Sequence, residues 1–329
     1  MKAPERRLTG PAQEPAHETI AEAGEFGLIQ RVTARVGAGP VALLGPGDDA
    51  AVIAAPDGRV VASTDVLVEG RHFRRDWSSA QDVGHRAAAA NLADIAAMGA
   101  VPTALLVAFC APPELDVAWV EELADGLAEE AARAGADVVG GDMSGAPLLM
   151  ISITALGDLG GRPPVRRVGA RPGDILALAG RVGYSAAGYT VLSRGFRSPK
   201  LLVEAHRRPE VPYAAGPAAA ELGATSMIDI SDGLLGDLAH VAAASAVAID
   251  VWRDAFEVPP QMRDAAGALG VDPYTWILTG GEDHALAATF PAGTALPEDW
   301  RRIGSVGEGS GVTVDGTAYE GPGGWEHFR

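Results

Sequence analysis

The chain has 329 residues, of which 47% are hydrophobic and 21% charged, and it carries a net charge of −17. That length accommodates two domains of ordinary size, each with its own core. The acidity argues against a nucleic-acid or anionic-membrane partner, both of which need basic patches to displace counterions, but a phosphate substrate stays open if metal ions supply positive charge.

Lys2 and Lys200 are the only lysines and neither lies in a glycine-rich loop, so a G-x-x-x-x-G-K-[ST] phosphate loop is absent. Phosphates must then be neutralised by metal and by Arg. Cys110, the sole cysteine, excludes intramolecular disulfides and reads as a buried, inert thiol in an apolar run. No run approaches the ~20 apolar residues of a membrane helix, and the N-terminal residues lack the apolar stretch of a secretory signal. A cytoplasmic location is the expectation.

Residues 1–24 are polar and proline-interrupted and read as a disordered lead-in. Phe26, Leu28, Ile29, Val32 and Val36 then recur at near-helical spacing, which predicts a short helix. The stretch GPGDDAAVIAAPDGRVVASTD, Gly45 to Asp65, reads as a hairpin with acid at both ends. Its first turn delivers Asp48 and Asp49, a Pro-Asp-Gly turn reverses the chain, and the second apolar run ends in Ser63-Thr64-Asp65. Strand alternation puts Ser63 and Asp65 on one face and Thr64 on the other. Hairpin pairing would bring Asp65 back near Asp48 and Asp49, and such like charges are costly without a cation. Mg²⁺, an oxygen-ligated ion usually shared with substrate phosphates, suits that position; ordinary turn chemistry explains Asp48 and Asp49 equally well. His72 follows just beyond the acid-bearing strand end and reads as either structural or functional.

Asp82 is a candidate N-cap for a helix through HRAAAANLADIAAMGA, closed by Gly99 with Pro102 beyond. Asp94 lies late in that helix among alanines, where the helix dipole and close packing both disfavour an anion. A carboxylate there calls for a cation, which favours metal ligation over the alternative of a simple surface position, with Asn91 one turn earlier on the same face. Residues 101–110 predict a strand, 117–134 an amphipathic helix closed by Gly135, and 148–156 another strand. Between them, Gly140-Gly141-Asp142 either permits close approach to a ligand or makes a tight turn. These elements form an α+β domain, residues 25–159. The Pro-, Gly- and Arg-rich crossing at 160–174 opens a second domain, 160–329, and Arg167 is the arginine retained as a phosphate contact. A strand at 175–179 and a small-residue helix from Ser185 follow. Asp229 and Ser231 share a face at the next strand end, with Ser231 or Asp232 as cap for a helix over 234–244. Gly280-Gly281-Glu282-Asp283-His284 again places acids at an element boundary. Trp325 either plugs a core or stacks on a flat ring. Five Gly/Asp clusters at element ends point together to metal-assisted phosphate chemistry.

GDDAA, STDxLVEGxHF, NLxDIAAMGA, GGD, GARPGD, DISDGL and GGED, in this order from Gly24 to Phe328, resemble the thiamine-monophosphate kinase family of the aminoimidazole-ribonucleotide-synthetase-like superfamily. The resemblance implies two α/β domains, the first dimerising through its sheet into a homodimer, with ATP and several Mg²⁺ in the cleft. It implies transfer of the ATP γ-phosphoryl to the phosphate of thiamine monophosphate, giving thiamine diphosphate. By matching positions it makes Asp49, Ser63, Thr64, Asp65, Asp94, Asp142, Asp229 and Asp232 metal-site residues. Gly141, Asp142, Arg167 and Ser231 would contact ATP, and His72, Glu282 and Trp325 the thiamine moiety. An ionised acceptor phosphate requires no general base, and none is assigned. The chain departs from the family at Arg86, where a lysine is usual, at Ala93, usually serine, at Met143, and at His284, usually tyrosine. Arg71 also replaces a smaller residue. A sister enzyme such as selenophosphate synthetase typically shows Cys or selenocysteine and a catalytic lysine near its N-terminus, which this chain lacks there. A metal- or nucleotide-binding regulator would not need so many acids.

Overall fold

The computed structural model describes residues 18–36, 42–44 and 51–321, the side chains of Glu25 and Phe26 excepted. Asp48, Asp49 and Trp325 lie outside the described residues. The first half runs α1 (Ile20–Thr33), β1 (Ala42–Leu44), β2 (Val52–Ile53), β3 (Val61–Val68), α2 (Ala80–Ala97), β4 (Val101–Ala111), α3 (Val117–Ala134), β5 (Asp137–Gly145) and β6 (Met150–Asp158). Thr19 opens α1 with a capping box: its hydroxyl accepts the Glu22 amide and the Glu22 carboxylate accepts the Thr19 amide. Two otherwise orphaned donors are satisfied there, so the lead-in expected to residue 24 is corrected, Ile20 to Ala23 being helical. Gly24 (φ 71°, ψ 163°) then kinks the helix.

The expected hairpin is also corrected. The Pro56-Asp57-Gly58 turn forms, with Asp57 accepting the Arg59 amide at 2.9 Å, but the strands on either side part company. β2 pairs with β1 and β3 pairs with β6. The reason is length: β6 offers β3 a partner at all eight positions, from Val61 opposite Gly157 to Val68 opposite Met150, whereas β2 has two residues. Gly140 and Gly141 make no turn; they lie inside β5. A Cβ on Gly141 would meet the Val107 carbonyl of β4 at 2.0 Å, so sheet geometry by itself demands glycine there. Cys110 is half-buried rather than buried. The resulting sheet has the order β3-β6-β4-β5.

The second half continues with β7 (Ile175–Ala179), α4 (Tyr184–Ser193), α5 (Lys200–Arg207), α6 (Ala215–Glu221), β8 (Ser226–Asp229), α7 (Leu234–Ser245), β9 (Ala248–Val251), α8 (Pro260–Leu269), α9 (Pro273–Thr279), β10 (Leu286–Phe290), β11 (Trp300–Gly307), β12 (Gly311–Val314) and β13 (Thr317–Ala318). Its strands form one sheet, β13-β12-β9-β11-β7-β10-β8, antiparallel except where β12 runs parallel to β9.

Helix α2 lies at the middle of the molecule. Ser79, not Asp82, is its N-cap; Asp82 sits three residues on and closes a capping box with Ser79. All of α2 but Gln81 and Asp94 is buried, because the helix packs on β3, β4 and β6 and also on α3, α6 and β8. Alanine makes that closeness possible. Gly84 and Gly126 bring α2 and α3 nearer still: a Cβ on Gly84 would stand 2.3 Å from the Leu123 carbonyl, and one on Gly126 would stand 2.1 Å from the Gln81 carbonyl. One apolar core therefore runs from Ile151 and Ile153 through α2 to Met227, Leu286 and Phe290, and a second lies under α4, α7 and α9.

Candidate functional site

Strand alternation delivers the first wall of the site. Ser63 faces α2 and its Oγ donates to Asp94 Oδ2 at 2.6 Å. Thr64 faces the other way, its hydroxyl donating to the Ile153 carbonyl at 2.9 Å, so the structure does not bring that hydroxyl to Asp94. Burial pushes the Asp94 carboxyl up, and the neighbouring Asp229 carboxylate adds to it, to about 6, against the Ser63 hydrogen bond and the His284 charge that favour ionisation. Asp65 adds further repulsion.

The second wall is two loops locked backbone to backbone. The Ile230–Gly233 loop follows β8, and the Gly280–His284 loop precedes β10. Gly281 is needed because a Cβ would stand 2.2 Å from the Ser231 carbonyl. Across the same contact, the Glu282 amide donates to the Ser231 carbonyl at 2.8 Å and the His284 amide to the Ile230 carbonyl at 3.0 Å. Those bonds hold Glu282 (φ 67°) and His284 (φ 51°) in the left-handed region, which side-chain-bearing residues adopt at a cost. His284 Nδ1 lies 3.3 Å from Asp229 Oδ2. Burial alone would lower the imidazole, but the Asp229 hydrogen bond and the charges of Glu282, Asp229 and Asp94 outweigh it and raise it to about 9.

Neither Ser231 nor Asp232 caps α7. Gly233 occupies the N-cap and offers no side chain; Asp237, in the first turn, instead accepts the amides of Asp232 and Gly233 at 3.0 and 3.1 Å. Burial, followed by Asp229, pushes the Asp237 carboxyl up to about 7. Asp283 does the same for α4, accepting the amides of Gly183 and Ser185 at 2.6 and 2.9 Å. Asp237 was missed by sequence reasoning; its signal was an acid in the first turn of a helix whose N-cap is glycine. Asp283 was read only as one of the acids at an element boundary, and nothing local ties it to α4, about a hundred residues earlier in the chain.

Beside the first wall is a cleft of about 550 Å³ that Ser63, Asp94, Arg166, Arg167, Ile228 and Asp229 line; Asp229, through its contact with His284, joins it to the two loops. Gly141 and Asp142 do not reach it. They line a second, largely apolar cavity of about 700 Å³ beside Leu106, Met143 and Thr154, since β5 lies three strand spacings from β3, roughly 14 Å. His72 is held to its own turn, Nδ1 accepting the Val68 amide at 2.9 Å. Arg86, noted in the sequence only as a departure, crosses to the second wall and pairs with Glu282 at 2.8 Å. Among the described residues no three His, Cys, Asp or Glu side chains enclose a metal position. The donors that do gather are oxygens: the Asp94 and Asp229 carboxylates and the Ser63 hydroxyl. That set fits Mg²⁺, which is commonly held by one or two carboxylates plus substrate phosphates rather than by a protein cage.

Residues 47–159 match the family described as AIR synthase related protein, N-terminal domain. The chain is 49% identical over 312 residues to the thiamine-monophosphate kinase of Mycobacterium tuberculosis, covering 94% of this chain and 93% of that protein. The chain belongs to the thiamine-monophosphate kinase family. The Corynebacterium glutamicum member is 41% identical, with 94% and 95% covered. Among solved structures, the thiamine-monophosphate kinase of Stenotrophomonas maltophilia aligns with a TM-score of 0.79 at 33% identity over 89% of this chain and 96% of that one. The structure of AaThiL complexed with AMPPCP and TMP aligns with a TM-score of 0.78 at 33% identity over 93% and 98%. Hydrogenase maturation protein HypE of E. coli shares the fold at 22% identity and a TM-score of 0.70, over 89% and 94%.

His206, buried beside Arg86, carries a stability prediction. Burial, then the Arg86 charge, lowers its imidazole to about 3. The unfolded chain, with an ordinary histidine, therefore binds more protons between about pH 6.5 and 3. Stability from this group is complete above pH 6.5 and is lost as pH falls, at up to about 1.4 kcal/mol per pH unit. Urea titrations of wild type and His206→Gln are expected to show the wild-type advantage shrinking steadily from pH 6.5 to 4.5. A constant difference across that range contradicts it.

Proposed function

We propose that this protein transfers the γ-phosphoryl group of ATP to the phosphate of thiamine monophosphate, forming thiamine diphosphate. The observation that carries the reading is the 49% identity to a thiamine-monophosphate kinase over 94% of the chain. The cleft agrees with it, pairing buried carboxylates with an arginine. Phosphoryl transfer is mostly positioning and charge neutralisation. Arg167 lines the cleft and suits a phosphate oxygen; Glu282, half-exposed, suits the cationic thiamine moiety. Asp94 and Asp229, with Ser63 and Asp65, would hold Mg²⁺, which when bound neutralises charge on the transferring phosphoryl group. Asp232 completes the metal positions in our reading, with Asp49 beyond the described residues; Thr64, which faces away from Asp94, and Asp142 and Gly141, which line the second cavity, carry the family's metal and ATP assignments without reaching this cleft. Ser231 is assigned to ATP, and His72 and Trp325 to thiamine.

Two further assignments belong to the same proposal. The sheets on either side of residues 160–174 are read as two domains, although one core passes through both. A homodimer built on the first sheet is supported by its open face, where Val66 and Leu106 are 39% and 37% exposed while Ile151 and Ile153 on the opposite face are buried. Leu106→Glu is expected to halve the mass seen by light scattering. Among the described residues no helix is long and apolar enough to cross a membrane, and we assign the protein to the cytoplasm.

The test is product formation with ATP, Mg²⁺ and thiamine monophosphate beside unphosphorylated thiamine. Thiamine diphosphate is expected only from the monophosphate and only with metal. ATP binding without transfer to either acceptor would redirect the assignment to a sister synthetase.

A further inference from the structure

Arg86 divides its guanidinium between two partners, the last turn of α5 and the Gly280–His284 loop. Nη1 donates to the His206 carbonyl at 2.7 Å and Nη2 to Glu282 Oε2 at 2.8 Å. The arginine side chain is 7% exposed and that of Glu282 is 41% exposed, so the ion pair has a dry end and a wet end. The backbone of Glu282 is fixed by its amide bond to Ser231, but its carboxylate ends a flexible side chain. Among the described residues the one hydrogen bond that reaches that carboxylate comes from Arg86; His284 Nε2 is farther, at 3.9 Å.

Arg86 also belongs to the rigid, buried helix that carries Asp94. The two are eight residues apart, about 12 Å along the axis, so one helix carries Asp94 and anchors the Glu282 carboxylate.

We infer that Arg86 is a positioning residue for the acceptor substrate: it holds the Glu282 carboxylate, one imidazole away from the cleft-lining Asp229, in the orientation that meets the cationic thiamine moiety. The inference rests on the functional reading above and deepens it. The choice of arginine follows from the geometry. A planar fork serves the His206 carbonyl and Glu282 together, whereas a lysine ammonium is a single point of charge on a flexible stem. Without the guanidinium, the Glu282 carboxylate loses its fixed partner and swings toward His284. Binding of the acceptor then weakens, while ATP, which does not meet Glu282, is unaffected.

Steady-state kinetics of Arg86→Gln, Arg86→Met and Arg86→Lys, each varied in both substrates, test this, with calorimetric binding of thiamine monophosphate as a readout free of turnover. The glutamine variant keeps a polar, uncharged side chain at this buried position and guards against misfolding of the methionine variant. Gln and Met are expected to raise KM for thiamine monophosphate at least tenfold, with KM for ATP within twofold of wild type. Lys, which keeps the charge but not the fork, is expected to recover part of the loss and to stand between wild type and Met. Equal increases in both KM values, or an unchanged KM for the acceptor, overturn the positioning role, as does a Lys variant no better than Met. Wild-type protein that neither turns over nor binds thiamine monophosphate overturns the functional reading instead, so the two failures are distinguishable.

Discussion

Asp94→Asn is expected to lower kcat for thiamine diphosphate formation by at least ~10³-fold while the melting temperature stays level or rises. The two halves of that expectation have one cause. Asp94 is mostly buried and its carboxyl is pushed up to about 6 by burial and by Asp229, so its ionised form is a burden on the empty fold. Asparagine keeps an oxygen for the Ser63 hydroxyl and removes the repulsion with Asp229 and Asp65. What it cannot do is neutralise a cation. Melting curves with Mg²⁺ and a non-hydrolysable ATP analogue supply a check independent of rate: wild type is expected to gain stability from the pair by mass action, and the variant to gain much less. A variant with wild-type kcat would remove Asp94 from the metal site.

Gly84→Ala is expected to destabilise the fold by about 3 kcal/mol, although alanine is the better helix former by about 1 kcal/mol. The added Cβ would meet the Leu123 carbonyl at 2.3 Å and the Leu127 amide nitrogen at 2.8 Å. Both are backbone atoms of α3, which no rotamer change can move, so the helices must separate. Because α2 also packs on β8, the shift reaches Asp94 and Asp229 and activity falls with stability. Gly267→Ala in α8 is the control, since a Cβ there meets nothing within 4 Å, and it is expected to be neutral or stabilising. Equal urea midpoints for the two variants would show that the α2–α3 contact tolerates a methyl group.

The helix over 117–134, its closing Gly135, the strand at 175–179 and the acid-bearing ends at Asp94 and Asp229 were all legible before the structure, because each rests on local causes. Hydrophobic period, a glycine able to take positive φ and an anion stranded among alanines are properties of neighbouring residues. The partition of Ser63 from Thr64 came the same way, from the period of two along a strand.

Partner choice was not legible. The chain around Pro56-Asp57-Gly58 carries every local signal of a hairpin, and the turn forms, yet β3 pairs with β6 from nearly a hundred residues away, because that strand partners all eight of its positions where β2 has two. The same holds for the far side of the site. Nothing near Arg86 names Glu282 as its partner, nothing near Gly281 names the Ser231 carbonyl that forbids a side chain there, and Gly141 and Asp142 read like the other clusters but lie at the opposite edge of the sheet. The sequence by itself determined the family, the chemistry of acids without lysines and most of the elements that carry them. Tertiary structure decided which acids share a cleft, which merely tie down helix ends as Asp237 and Asp283 do, and where the Glu282 carboxylate is held. Those outcomes depend on backbone approach and burial between segments far apart in the chain, which no local pattern encodes.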